Sequence, residues 1–118
     1  MSEDEPYSLD EIKAIYGNDA ESLMEVTDLF LEDAPARLEM LRGAVASGEV
    51  EPAAKAAHGL ANMLGALRNH TGVSHARETE RLLRSNGIEA SRATAERLAG
   101  DVEETLAAIR AERGEEGY

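Results

Sequence analysis

From Asp19 to Ser47 the apolar residues Leu23, Val26, Phe30, Ala34, Leu38, Leu41 and Val45 recur at steps of three or four. That spacing lays one continuous face along an α-helix and does not fit the two-residue alternation of a half-buried strand. Pro35 falls inside the series and removes the amide that would bond to the Leu31 carbonyl. Because the stripe stays in phase beyond it, a kink rather than a break is expected there.

The rest of the chain has the same period. Ser8-Leu9-Asp10-Glu11 predicts a capping box ahead of a short helix ending near Tyr16, with Gly17 as its stop and Asn18 or Asp19 capping the long helix. Gly48 closes the long helix, and Pro52 opens another that runs to about Arg68 with Ala56, Ala57, Leu60, Met63, Leu64 and Leu67 inward. Asn69 reads as its stop. A fourth helix, Thr71 to Asn86, turns Val73, Ala76, Thr79 and Leu83 inward and ends at Gly87. The last, from about Ser91 to Ala111, turns Ala95, Leu98, Val102, Leu106 and Ile109 inward. The fold expected is all-α: an antiparallel up-down four-helix bundle with a short N-terminal capping helix, one domain over residues 1–118. Residues 1–7 and 113–118 are expected to fray.

Composition supports helices and limits the choice of partner. The chain is 42% hydrophobic but has only three tyrosines, one phenylalanine and no tryptophan, so alanine and leucine must fill the core, which favours close helix packing over sheet. Twenty-four acidic residues against twelve basic ones give a formal charge of -12, which repels nucleic acid and anionic membrane surfaces; a salty habitat is the other reading of such acidity. With no cysteine, disulfides and Cys-ligated zinc are excluded, as suits a reducing compartment. No apolar run approaches the ~20 residues of a membrane span, and the acidic Met1–Pro6 leader opposes a signal peptide's basic start. A soluble cytoplasmic protein is expected.

Motifs for enzymatic chemistry are missing: there is no Gly-rich phosphate loop, no His-Glu-x-x-His, no nucleophile elbow and no Glu-x-x-His pair. His70 and His75 lie in or beside a helix junction and read as exposed polar residues, their spacing defining no metal geometry. His58 is set differently. At about 100° per residue, Ala54, His58, Ala61, Asn62 and Gly65 share the side opposite the leucine stripe, which places the imidazole in water among small neighbours. Gly59 and Gly65 each cost up to ~1 kcal/mol relative to alanine in a helix interior, which suggests close approach. An incidental surface histidine and a nucleophile on a cleared landing zone both fit this pattern.

Leu29-Phe30-Leu31-Glu32-Asp33-Ala34-Pro35-Ala36-Arg37-Leu38, Ala56-Ala57-His58-Gly59-Leu60 and Gly65-Ala66 together resemble the histidine-containing phosphotransfer (HPt) domain of bacterial phosphorelays. The likeness covers nearly the whole chain, including Leu9 and Ile12 of the capped helix and Arg77-Glu78-Thr79-Glu80 on the helix after His58. It implies a four-helix bundle that is a phosphocarrier and not an enzyme. His58 would accept a phosphoryl group from a receiver-domain aspartate and pass it to another. Partners would be response-regulator receivers and a hybrid sensor kinase, the protein itself a monomer with no cofactor or metal of its own, and Mg²⁺ held by the receiver.

The family pattern is His-x-Leu-Lys-Gly with a small residue or glycine seven positions after the histidine. His58, Leu60 and Gly65 match; Ala61 stands for the lysine and Asn62 for the glycine. Alanine cannot offset phosphoryl charge as lysine would. Lys55, one turn earlier, reads either as the substitute cation or as a solvated helix charge, and Asn62 either donates to the phosphoryl group or crowds it. Gly59, Ala61 and Gly65 would form the docking floor. Glu80, at the family's position for the residue that orients the imidazole, would accept from Nδ1–H; its other reading is a surface partner of Arg77 or Arg84. The missing lysine leaves a second hypothesis, an HPt-like binding module without phosphotransfer.

Overall fold

The computed structural model describes residues 6–114, which form five α-helices and, among the described residues, no strand. They are α1 (Asp10–Tyr16), α2 (Ala20–Ser47), α3 (Val50–Ala66), α4 (His70–Asn86) and α5 (Ile88–Glu112). Residues 1–5 and 115–118, within the ends expected to fray, lie outside the described residues. No helix of the described residues is long and apolar enough to cross a membrane.

Helix α2 runs unbroken through Pro35, held by burial of Phe30, Ala34, Leu38 and Leu41 on either side of it. The missing amide bond at Pro35 is therefore outweighed by a stripe of core contacts. Asp19 caps α2 by accepting from the Ser22 amide at 3.0 Å. Gly48, at φ 74°, closes it. Three further boundaries differ from expectation. Helix α3 starts two residues before Pro52, α4 starts at His70, and α5 starts at Ile88 directly after Gly87. Asn69 is less a stop than a start: Arg68 takes the left-handed turn at φ 59°, and the Asn69 side chain accepts from the Gly72 amide at 2.9 Å. The buried Asn69 side chain also donates through Nδ2 to Thr105 Oγ1 at 2.8 Å, which ties the α3–α4 turn to α5 with its polar atoms satisfied.

The four long helices close a ring, α2 packing on α3 and α5, and α4 on α3 and α5. Leu60, Leu64, Leu83, Leu98, Val102 and Ile109 fill its centre, each essentially inaccessible to solvent. Helix α1 covers one end by burying Leu9 and Ile12. The capping box does not form. Ser8 Oγ accepts from Asp10 N at 3.2 Å, while Glu11 turns away to His70 Nε2 at 2.9 Å. Tyr7 and Arg113, placed by sequence in the frayed ends, are fastened to this end of the molecule. Tyr7 donates through its hydroxyl to the Leu67 carbonyl, and Arg113 donates to Thr27 Oγ1 while pairing with Asp28 at 2.6 Å.

Candidate functional site

Helix α3 buries Ala53, Ala54, Ala56, Ala57, Leu60, Ala61 and Leu64 and exposes Lys55, His58 and Asn62. Ala54 and Ala61, expected on the open face, are therefore buried, Ala61 at 6% exposure. The reason is angular. At about 100° per residue the exposed arc is centred near Asn62 and Lys55, so His58 stands at its margin, and residues a further ~40–60° round lie under α4. Ala61 supplies packing beneath the site and no open floor. Gly65 also faces α4, where an added Cβ would make ordinary contact with Val73 at 3.6 Å.

That marginal position brings His58 to a carboxylate. The imidazole is 62% exposed, and its Nδ1 lies 3.1 Å from Glu80 Oε1 on α4, whose side chain is only 21% exposed. A carboxylate at this distance can accept from Nδ1–H, the tautomer in which the Nε2 lone pair is free. Glu80 is itself held. Its second oxygen accepts from Arg84 Nε at 3.2 Å, and Arg84 Nη1 donates to both oxygens of Glu51 at 3.0 and 2.9 Å. The bonds to Glu51 first, and to Glu80 second, raise the Arg84 pKa above its ordinary value. Glu80 thus contacts both His58 and a cation of its own helix, and that cation is Arg84 and not Arg77. The Glu51–Arg84 brace behind it had no signal in the sequence beyond the i, i+4 spacing of Glu80 and Arg84.

Gly59 is occupied from within the chain. An ideal Cβ there would stand 2.6 Å from Arg37 Nη1 and 3.2 Å from Arg37 Cδ, so the arginine of α2 lies across α3 where any larger residue would meet it. The floor expected at Gly59 is a seat for Arg37, and the only sequence signal for that seat was a glycine inside a helix. His70 and His75 meet separate carboxylates, Glu11 and Asp101, at opposite flanks of α4.

A family model described as Hpt domain matches residues 25–112. The chain belongs to the Hpt domain family. The match takes in α2 from Glu25 onward and all of α3, α4 and α5, including His58, Glu80 and Arg37. Membership supports a role of phosphotransfer type in two-component signalling, with receiver domains and kinases as the partners of the family. Neither the curated proteins nor the solved structures yield a match to this Hpt domain.

Proposed function

We propose that this Hpt domain is a histidine phosphotransfer protein that shuttles a phosphoryl group between receiver-domain aspartates through His58. The observation that carries the reading is the solvent-facing imidazole whose Nδ1 is bonded to a braced carboxylate. Nε2 attacks phosphorus in line with the aspartyl leaving oxygen. The N–P bond forms as the P–O bond breaks, and the receiver's carboxylate departs with the electron pair. Glu80 keeps the proton on Nδ1 and stabilises the positive charge that the ring acquires. The acid chemistry and Mg²⁺ of the step belong to the receiver, so the carrier is not an enzyme and needs no cofactor.

Lys55 and Asn62, exposed on the same strip, assist by facing the phosphoryl oxygens. The four long helices, joined by turns of one to three residues, are read as an antiparallel up-down bundle with α1 as its cap. A cytoplasmic monomer meeting a hybrid sensor kinase and receivers through transient interfaces completes the proposal. Ala61 and Asn62 in place of Lys-Gly favour one second reading, a binding module that no longer transfers phosphate. Incubation with a phosphorylated kinase, receiver domains and Mg·ATP separates the two. Acid-labile label on this chain supports transfer, and receiver binding with no label supports the binding module.

A further inference from the structure

This inference rests on His58 as phosphoacceptor. We infer that Arg37, reaching over α3 through the notch at Gly59, is the cation that binds the phosphoryl group on His58 in place of the lysine absent at position 61. Three observations carry it. The first is the seat, since Nη1, Cδ and Cζ of Arg37 all lie within 3.2 Å of where a Cβ on residue 59 would stand. A helix-interior glycine is otherwise unfavourable, and its presence directly after His58 is explained by this crossing.

The second is reach. The contact puts the Arg37 guanidinium within about 8 Å of the His58 Cα, as adjacent Cα atoms are about 3.8 Å apart. The imidazole leans toward Glu80 on α4 while Gly59 faces α2, so meeting a phosphoryl group on Nε2 requires the flexible arginine stem to swing across the exposed strip of α3. The third is charge. Of the 12 basic residues, Lys13, Arg42, Arg81, Arg84, Arg92 and Arg113 pair with carboxylates, and the other six pair with none among the described residues; of those six, Arg37 is the one that lies across α3 at Gly59. Among the described residues Arg37 pairs with no carboxylate, so its planar donors are open to an incoming anion of matching bidentate geometry. Lys55, on the exposed strip between His58 and Gly59, adds a second positive charge but lacks the fork.

The test uses the full chain and phosphoramidate, a small donor that brings no protein groups of its own. Nε2–P forms as the donor's P–N bond breaks, and the nitrogen leaves as ammonia. Phosphorus NMR then follows the phosphohistidine signal against pH. A cation beside the phosphoryl group favours its more anionic form. Arg37→Ala should therefore move the titration midpoint upward by about half a pH unit, the effect of a partly exposed charge pair. Arg37→Lys should recover part of the shift, and Gly59→Ala, which displaces the guanidinium, should move the midpoint in the same direction as Arg37→Ala. The differences should shrink with added salt. Far-UV circular dichroism should show Arg37→Ala as helical as the parent, since Arg37 is exposed. Identical midpoints in the labelled parent and labelled Arg37→Ala overturn the assignment of Arg37 alone. A parent that takes no phosphoryl group on His58 overturns the phosphoacceptor reading on which the assignment rests.

Discussion

The Tyr7 hydroxyl donates to the Leu67 carbonyl at the α3–α4 turn, where burial, and to a lesser extent the Glu11 carboxylate, raises the phenol's pKa above its ordinary value. The neutral phenol is therefore the form that favours the fold. Its contribution is fully present below the unfolded value near pH 10 and is lost as pH climbs toward the higher folded value. Absorbance titration at alkaline pH should show Tyr7 ionising later than an exposed tyrosine, and Tyr7→Phe should remove the late component. The same substitution should lower stability by about 1 kcal/mol in a denaturant melt, since it strips a hydrogen bond from a partly buried carbonyl. No change in either measurement would mean that the N-terminal segment is not held there. At this scale the candidate site was only half legible. His58 and Glu80 stood out through the resemblance, and Gly59 signalled a close approach. Neither Arg37 as the approaching group nor Glu51 as the brace could be read, because each depends on which helix lies beside α3.

Among the elements, the periodic stripes were the most legible feature, because a repeat of three or four over several turns admits one burial pattern. Phe30, Leu41, Leu60, Leu83 and Leu98 are inward as that period requires. Helix ends were less so. Asn69 serves as a stop by composition and as a cap by geometry, and Glu11 had two partners to choose between, the start of its own helix and His70. The position of Ala61 was misjudged for a related reason. A helical wheel gives angles around α3 but not the width of the arc that α2 and α4 cover. Two helix glycines stand apart from Gly59. Gly43 in α2 and Gly100 in α5 are exposed, and an added Cβ would meet nothing within 4 Å at either. Gly43→Ala and Gly100→Ala should each raise stability by about 0.5–1 kcal/mol, chiefly by restricting the unfolded chain. A thermal melt checks this, and a lowered midpoint would show that one of these positions touches something.

At the level of the whole molecule, a formal charge of -12 sits on a protein of 118 residues, and the seven Lys or Arg ion pairs among the described residues are mostly exposed. Screening of the excess negative charge should outweigh screening of these pairs, so the melting temperature should rise between about 10 and 150 mM salt. A falling melting temperature would show that the surface pairs carry more of the stability than self-repulsion removes. The acidity also bears on partners, because Lys55 and Arg37 put two positive charges on the side of α3 that carries His58, in a chain of net charge -12. Under the proposed function, an aspartyl phosphate would be drawn to that face of the ring of helices. The central claim is that this face carries the phosphoryl group on one nitrogen of one residue. The most direct measurement is mass-spectrometric localisation, at neutral to alkaline pH, of the group transferred from a phosphorylated receiver to the full chain, with His58→Gln run alongside. The account predicts an acid-labile phosphoryl group on His58 and none on His58→Gln, both proteins being equally helical. A phosphoryl group on His70 or His75, or equal labelling of His58→Gln, would contradict it.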